Sequence, residues 1–341
     1  MAGTITRVAG TGTAGAGGDD GPATVAQLST PADVAVISEG GFLIADYNNN
    51  LVRKVSLAGT ITRVAGTGTA GNTGDDGPAS DAQLNHPWGL AVTADGGFLF
   101  ADFANHVVRK VSATGTITRV AGTGTPGNSG DSGPATDAQL FDPVGVAVTA
   151  DGGFLIADAG NNVVRRVSAS GTITRVAGTG TPGRSGDDGP AIDAQLSTPV
   201  GLVVTADGGF LIGDAGNNVV RAVSTAGTIT RVAGTGTAGT SGDDGPATDA
   251  QLSTPAGLAL TADGGFLIAD YANDRVREVS ASGTITRLAG TGTAGNSGDD
   301  GLATSAQLSG PVGMSMTGDG GFLIADSANN EVRQVVGFPP G

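Results

Sequence analysis

The sequence predicts an all-β protein, a closed ring of six sheets with four antiparallel strands each. Three observations predict it: one unit recurs six times along the 341 residues, each unit holds four short strand-like runs, and the chain ends are offset from the unit boundaries. Sheets of this size bury their faces only by packing on one another, so neighbouring units must share a core. We therefore expect residues 1–341 to form a single domain.

The repeat is clearest in one octet, Gly-Thr-Ile-Thr-Arg-Val/Leu-Ala-Gly. It recurs at intervals of 56 residues, with no insertion or deletion between copies. A fixed period of this length is typical of solenoids and propellers. The six copies begin at Gly3, Gly59, Gly115, Gly171, Gly227 and Gly283.

Each unit contains four strand-like runs, which in the third unit are residues 144–149, 154–158, 163–168 and 172–177. Gly, Asn and Asp occupy the connections, where tight hairpins need positive φ angles or bonds from side chain to backbone. These connections are too short for a crossover helix, so the four strands must form an antiparallel meander.

A longer connection, here called a linker, joins each fourth strand to the next unit. In the linker at residues 179–198, residues 190–196 are expected to form one or two helical turns. Pro190 lies near the start of these turns, and Asp187 or Asp188 is expected to cap the free amides.

A ring accounts for both the sheet edges and the chain ends. Free edges of such sheets aggregate, and a radial arrangement of blades protects them. The chain begins with the octet that forms a fourth strand and ends after a third strand at residues 331–336. Pairing residues 4–9 with 331–336 would complete the last blade from both ends. We therefore expect a six-bladed β-propeller closed by its first strand.

The residues from Gly245 to Arg277 resemble the NHL repeat, with Gly-Pro-Ala-Thr-Asp-Ala-Gln-Leu-Ser-Thr-Pro followed by Asp-Gly-Gly-Phe-Leu-Ile-Ala-Asp. The Thr-Ile-Thr-Arg-Val-Ala-Gly-Thr-Gly run and the Gly-Asp-Asp-Gly-Pro-Ala loop are similar to its longer variety. The resemblance covers all six copies and implies a propeller. Propellers of this type serve in protein binding, RNA binding, ligand sensing and as lyases, so the resemblance leaves function open.

Composition excludes several classes of function. The chain has no cysteine, which excludes disulfides and thiolate sites, and only two histidines. The net charge of −15 argues against nucleic-acid partners. Of the 13 aromatic residues, six are the Phe of Gly-Gly-Phe-Leu and are expected in the core. No apolar run approaches the roughly 18 residues of a membrane span. We expect no cofactor, and a monomer, in an extracellular or cell-surface bacterial setting.

The net charge lies in the linkers. These are residues 11–30, 67–86, 123–142, 179–198, 235–254 and 291–310, and they hold sixteen aspartates and one base, Arg184. All six are expected on one face, which could attract cations or a basic partner. The alternative is that Asp-Asp-Gly-Pro is a turn and helix cap. The pattern lacks the alternating acids of an EF-hand, and Ser132 interrupts one copy, so we predict no metal site there.

Two charged positions recur in every unit and are expected to be structural. An aspartate ends the second strand and an arginine lies in the third, which fits a turn-bracing acid and an ion pair across strands or between blades. Catalysis needs one asymmetric set of groups, so no catalytic residue is predicted. The two sets are Asp46, Asp102, Asp158, Asp214, Asp270 and Asp326, and Arg53, Arg109, Arg165, Arg221, Arg277 and Arg333.

Departures from the repeat mark the candidate binding residues near the linker ends. Asp33 replaces a glycine found in the other five copies, Trp88 follows a linker proline where the other copies carry Ala or Val, and His106 replaces Asn or Asp in a turn expected to be exposed. Met314 and Met316 also depart from the repeat. The candidate binding set is Asp33, His86, Trp88, Phe141, Asp142 and Arg184.

These observations favour a non-catalytic scaffold that binds a protein or small ligand on its acidic linker face. The alternative is a metal-dependent hydrolase or lyase-like enzyme with its site at the mouth of the central channel, around Asp33, His86 and Trp88. A metal normally needs three or more protein ligands, and only Asp33 and His86 are ionisable there.

Overall fold

The computed structural model describes residues 3–337, which form six antiparallel sheets around a central channel. We number the sheets as blades 1 to 6 in chain order. In blade 1 the strands run outward from the channel as Pro31–Val36, Phe42–Asp46, Leu51–Val55 and Thr60–Ala65. The six-bladed β-propeller predicted from the sequence is therefore confirmed.

The remaining blades repeat this order of strands. From the channel outward, their strands are Pro87–Val92, Phe98–Asp102, Val107–Val111 and Ile117–Ala121 in blade 2; Pro143–Val148, Phe154–Asp158, Val163–Val167 and Ile173–Ala177 in blade 3; Pro199–Val204, Phe210–Asp214, Val219–Val223 and Thr228–Ala233 in blade 4; Pro255–Leu260, Phe266–Asp270, Arg275–Val279 and Thr284–Ala289 in blade 5; and Pro311–Met316, Phe322–Asp326, Glu331–Val336 and Thr4–Ala9 in blade 6.

Blade 6 closes the ring as the sequence predicts. Thr4–Ala9 pairs antiparallel with Glu331–Val336, so its outermost strand comes from the start of the chain. The Ile5 side chain is completely buried, and the Ile5 carbonyl accepts the amide of Asp300 from the last linker. The first strand thus completes a sheet and anchors a linker.

Each linker also adds to the outer edge of the blade that follows it, which the sequence did not predict. Two-residue strands lie against the outermost strands of blades 1, 4, 5 and 6, and single bridges from Pro78 and Pro134 do so in blades 2 and 3. Because this pairing uses edge groups that would otherwise be free, it shields the perimeter from edge-to-edge association. The short strands are Gly21–Pro22, Gly189–Pro190, Gly245–Pro246 and Gly301–Leu302.

The helical turns are single 3-10 turns in two sets. One set lies in the linkers and the other follows each second strand, and none within residues 3–337 is long and apolar enough to cross a membrane. The linker turns are Ala23–Val25, Ala79–Asp81, Ala135–Asp137, Ala191–Asp193, Ala247–Asp249 and Ala303–Ser305, and the others are Tyr47–Asn49, Phe103–Asn105, Ala159–Asn161, Ala215–Asn217, Tyr271–Asn273 and Ser327–Asn329.

The expectation that Asp187 or Asp188 caps the linker helix is wrong. The residue before the turn Ala191–Asp193 is Pro190, and no side chain caps its amides. Asp187 instead binds Arg221, and Asp188 adopts a left-handed φ of 63° in the turn ahead of the short strand. A single 3-10 turn leaves few free amides, so an ion pair is the stronger use of the carboxylate.

The linkers also fill the spaces between blades. Ala26 and Leu28 of the first linker are completely buried, together with Ile44 and Val55 of blade 1 and Leu323 of blade 6. Ala-x-Leu in each linker therefore forms part of the core, and the same arrangement recurs at the other blade interfaces. Burial of these side chains drives the linker to follow a fixed path back to the channel.

The recurrent arginine joins three segments of its repeat, as blade 3 shows. Arg165 is almost completely buried; its Nη2 donates to Asp131 Oδ1 of the linker at 3.0 Å and its Nη1 donates to the Gln139 carbonyl at 2.6 Å. Its Nη1 also lies 3.5 Å from Oδ2 of Asp158, at the end of the second strand. A guanidinium has five donors in a fixed plane, so it can hold all three segments at once.

The arrangement recurs in all six repeats and uses six of the sixteen linker aspartates. These six carboxylates are paired within the protein, so the charge available to a partner on the linkers comes mainly from the others. The six are Asp19, Asp75, Asp131, Asp187, Asp243 and Asp299.

Replacing Arg165 with Met should lower the free energy of unfolding by about 3–5 kcal/mol, because Asp158 would stay buried without its counter-charge. Adding Asp158→Asn should recover part of the loss. Arg166→Met is the matched control: Arg166 is the next residue, has a 43% exposed side chain and pairs only with Asp151 at the surface, so a change of less than about 0.5 kcal/mol is expected. Equal losses for both variants in urea unfolding would contradict this role.

Removing residues 1–9 should destabilise the ring by on the order of 5 kcal/mol or cause it to oligomerise, because the outer edge of blade 6 loses its partner strand and the buried Ile5. Ile5→Asp should have a similar effect. Thr4→Asp, in the same strand on an exposed position, should not. Thermal unfolding and sedimentation velocity test this, and a truncated protein that melts like the parent would show that closure adds no stability.

Candidate functional site

One end of the central channel collects the linker ends and the turns that follow the second strands. These segments surround a cavity of about 310 Å³, which we call the mouth. It is lined by Thr30 and Thr254 from linkers, by Tyr47, Tyr271 and Ser327 from turns, and by Ala32, Trp88, Val200, Ala256 and Val312 from the innermost strands. The last five residues also line the channel below, so the mouth and the channel adjoin.

The recurrent aspartates hold the segments that form this end. In blade 3, Asp158 Oδ1 accepts the backbone amide of Phe141 at 2.8 Å, and Oδ2 accepts the Asn161 side-chain amide at 2.9 Å. The contacts recur in all six blades and fix the linker end beside the turn. Burial raises the pKa of these carboxyls, and their hydrogen-bond donors offset only part of the rise. The pKa is about 7 in Asp326 and about 6 in Asp46, Asp102, Asp158, Asp214 and Asp270.

A hydrogen bond between consecutive repeats completes the positioning. The Asn50 Oδ1 of one repeat accepts the His86 backbone amide at the next linker end, at 2.9 Å. The residue at the Asn50 position has a left-handed backbone, with φ near 55° in every copy, which Asn and Asp tolerate. The bond that closes the ring runs from the Thr30 amide to Asn330 Oδ1.

His106 occupies this position in the second repeat and is not exposed as expected. Its side chain is only 18% exposed, and its Nδ1 accepts the Asp142 amide at 3.2 Å. Imidazole nitrogen therefore replaces the amide oxygen used elsewhere. The position needs a hydrogen-bond acceptor and a left-handed backbone, and histidine provides both.

Aromatic residues outside the repeated Phe position concentrate around the mouth. There are seven of them; Phe100 is in the core and Phe338 lies outside the described residues. The other five are Tyr47, Trp88, Phe103, Phe141 and Tyr271, on linker ends, turns and an innermost strand. The position after the second-strand aspartate is aromatic in three repeats and Ala or Ser in the others. This asymmetry is confined to one end of the ring.

Three of these rings, Tyr47, Trp88 and Phe103, pack with the imidazole of His86 across blades 1 and 2, and we call these four residues the aromatic cluster. Tyr47 stacks on His86 with ring centroids 4.4 Å apart and meets Trp88 edge-on at 5.1 Å. Trp88 lies 5.4 Å from Phe103. These are favourable geometries for aromatic pairs, so each ring holds the next in place at the mouth.

Tyr271 lies apart from this cluster. It comes from blade 5, contacts the backbone at Gly310 and is 40% exposed. The mouth therefore has aromatic side chains on two sides, with the small Ser327 of blade 6 between them. Sequence reasoning missed Tyr47, Phe103 and Tyr271; the signal was the alternation of aromatic and small residues at a single repeat position.

Asp33 lies in the channel, which has a volume of about 450 Å³, and is the only ionisable side chain among the residues that line it. Its Oδ1 accepts the amide of Val34 and its Oδ2 that of Leu90 in blade 2, both at 2.8 Å. Burial raises the pKa of Asp33 to about 7, although both amides lower it. Part of its surface remains open to the channel.

The other five copies have glycine here because neighbouring innermost strands approach closely. A Cβ at Gly201 would lie 2.1 Å from the Ala256 carbonyl of the next blade. Asp33 is accommodated because the first two strands of blade 1 pair differently from those of the other blades. Asp33 pairs with Ala45, whereas the equivalent glycine of the other blades has no partner in the second strand. Its neighbour Gly313 also leaves the space that its carboxylate fills.

The structure separates some of the candidate residues. Asp33 and His86 share no hydrogen bond or ion pair in the described part of the chain. Phe141 is 39% exposed beside His106, with Asp142 next to it. Arg184 donates to the Thr235 carbonyl of the next linker and does not line the mouth. Between residues 3 and 337 no group of three or more His, Asp or Glu is placed to hold a metal ion.

Replacing Asp33 with Gly should remove part of the pH dependence of stability. The pKa of the Asp33 carboxyl is about 7 in the folded protein and 3.8 in the unfolded chain. This difference stabilises the folded state fully below about pH 4, and the contribution is lost as the pH rises to 7. Between pH 5 and 8 the wild type should lose on the order of 2 kcal/mol more than Asp33→Gly in urea unfolding. The six recurrent aspartates are present in both proteins, so their contribution to the pH dependence cancels in this comparison. Parallel pH profiles would contradict it.

Known proteins resemble this chain in sequence and in fold. The human Teneurin-1 is 31% identical over 262 residues, which are 68% of this chain and 10% of that protein. The chloroplastic protein SUPPRESSOR OF QUENCHING 1 of Arabidopsis thaliana is 29% identical over 288 residues, 79% of this chain and 26% of that protein. The match thus spans about a tenth of Teneurin-1 and about a quarter of SUPPRESSOR OF QUENCHING 1.

Solved propellers share the fold at low identity. A protein of unknown function from Bacteroides thetaiotaomicron has a TM-score of 0.73 and 19% identity, covering 98% of this chain and 76% of its own. A streptogramin B lyase has a TM-score of 0.56 and 13% identity, and the match covers 92% of this chain and 95% of the lyase. The sequence model of the NHL repeat family matches residues 28–55, the linker end and first three strands of blade 1. The chain is a six-bladed β-propeller whose first blade matches the NHL repeat.

Proposed function

We propose that this propeller is a non-catalytic binding module whose ligand occupies the mouth at the centre of the linker face. The observation that carries the proposal is the concentration of five non-repeated aromatic residues at one end of an otherwise regular ring. Aromatic side chains supply large contact areas at low cost in conformational entropy, and they dominate many binding sites. A ring that serves only as a spacer has no use for this asymmetry.

The shape of the mouth supports a small ligand or a single inserted side chain. Its volume of about 310 Å³ is at the lower end of small-molecule sites. Thr30, Thr254 and Ser327 add hydroxyl groups to the apolar wall, so the site offers both contact area and hydrogen bonds. A protein partner would therefore insert one anchor residue into the mouth, and the surface around that residue would contact the linkers.

The acidic linkers set the electrostatic preference of this face. The net charge of −15 resides in them, although six of their aspartates are paired with arginine. A ring of negative charge around the mouth raises the local concentration of cations and of basic partners. The linker face predicted from the sequence remains the proposed surface, with the mouth as its centre.

Binding, rather than catalysis, is favoured by how the ionisable groups near the mouth are held. Asp33 is bound by two backbone amides, and His86 is stacked on Tyr47. General acid–base chemistry needs a group within hydrogen-bond reach of its partner or substrate, and these two groups are held separately. The alternative, a metal-dependent hydrolase or lyase at the channel mouth, requires the ligand to supply or recruit further groups.

The single tryptophan gives a direct test. Trp88 lines the mouth, so a small-molecule fragment collection can be screened by its fluorescence. Hits should lose at least tenfold in affinity in Tyr47→Ala combined with Tyr271→Ala, where alanine is the residue other repeats carry. Leu57→Ala, at an exposed turn away from the linkers, is the control and should leave affinity unchanged.

The proposal fails if hits bind the double variant as tightly as the wild type. It also fails if a hit is converted to product, followed by mass spectrometry with and without added Zn²⁺ or Mg²⁺. Conversion that depends on the added metal would establish the enzyme instead.

A further inference from the structure

The channel presents one isolated carboxyl group, negatively charged when ionised, at the base of an aromatic mouth. Asp33 is the one ionisable residue among the side chains of the six innermost strands that line the channel. Lys, Arg and His are all absent from that lining. An ionised carboxylate in such a place is costly without a cation nearby, and its two amide donors carry no net charge. The site therefore lacks a counter-ion that a ligand could bring.

The carboxylate also has unused hydrogen-bonding capacity on the channel side. A carboxylate can accept about four hydrogen bonds, and Val34 and Leu90 supply two. The channel lining holds one hydroxyl group, that of Ser315, whose Oγ accepts the Val36 amide. A ligand with N–H donors and a positive charge would satisfy Asp33 on both counts.

Trp88 connects this charge to the mouth. It lines both the mouth and the channel, and the other residues that line both, among them Ala32 and Val312, are small or apolar. Aromatic faces attract organic cations through the ring quadrupole, and the aliphatic wall suits an apolar body. A ligand with a cationic head and an apolar body therefore matches the order of chemical groups from channel to mouth.

A metal ion matches the site poorly. Ca²⁺ takes six to eight oxygen ligands, and Zn²⁺ usually takes three or four protein ligands. The channel lining offers one carboxylate and one serine hydroxyl. An ammonium group needs only one carboxylate.

We propose that the mouth and channel bind an organic ammonium ion, with its charged head at Asp33 and its apolar body against Trp88. This proposal rests on the proposed function and names the class of its ligand. The acidic linkers around the mouth favour the approach of the same class of ligand.

The test compares charged and neutral probes of equal shape. Phenethylammonium and n-butylammonium are titrated into the protein by isothermal calorimetry, beside 2-phenylethanol and 1-butanol as their neutral counterparts. At least one ammonium ion should bind with a Kd below about 1 mM and at least tenfold more tightly than its neutral counterpart. Asp33→Gly, the residue of the other five copies, should abolish this tenfold preference and leave 2-phenylethanol unchanged.

A second readout separates an ion pair from a packing effect. Binding of a cation lowers the pKa of Asp33, so protons should be released at pH 6.5, seen as a binding heat that changes between buffers of different ionisation enthalpy. The release should vanish in Asp33→Gly. Trp88→Val, the residue of three other copies, should weaken binding several-fold while leaving the proton release intact.

Three outcomes would overturn the proposal: no ammonium probe binds, charged and neutral probes bind alike, or Asp33→Gly binds the ammonium as the wild type does. Ca²⁺ binding that depends on Asp33 and displaces the ammonium would also overturn it. If neutral fragments still bind at Trp88 in these cases, the proposed binding function survives. Circular dichroism confirms that each variant is folded.

Discussion

The ring depends on one buried arginine in each repeat. In blade 3 the guanidinium of Arg165, in the third strand, joins two points of one linker, Asp131 and the Gln139 carbonyl, to Asp158 at the end of the second strand. Two carboxylates share this one cation, so the aspartate at the strand end is only partly neutralised and its pKa stays raised by burial. The same aspartate holds the amide of the linker end. The direction in which each linker approaches the channel thus follows from the carboxylate that also pairs with the arginine.

The difference between residues that hold the ring and residues that only line the mouth explains where the repeats can vary. The arginine and its two aspartate partners are the same in all six copies, whereas the acceptor of the bond between repeats is Asn, Asp or His. The mouth positions contribute surface but hold nothing essential, so Tyr47, Ala159 and Ser327 can occupy equivalent places. Asp33 is the exception within the channel, and it is tolerated only because the strand pairing around it changes. Specialisation in a repeat ring is therefore confined to positions that the scaffold does not use.

Most of the fold could be predicted from the sequence because it depends on period, turn residues and alternation, which are local signals. The closure of the ring followed from the offset of the ends. The pairing of Asp187 with Arg221 and the short edge strands could not be predicted, because both depend on where the linker passes over the finished sheet. Trp88, His86 and Asp33 stood out as departures from the repeat. Tyr47 and Tyr271 did not, because recognising them required knowing which turn faces the channel.

The hydrogen bonds between consecutive repeats have a consequence for the topology of the molecule. The bond from Thr30 to Asn330 is equivalent to the bond from His86 to Asn50, although the first spans almost the whole chain and the second only 36 residues. The junction between blades 6 and 1 therefore has the same hydrogen bond as the others, although the two chain ends lie between the third and fourth strands of blade 6. The covalent order of the repeats is thus one of six equivalent ways to cut the same circle. A break moved to the connection between the third and fourth strands of another blade would leave every linker intact, and the mouth would keep its shape.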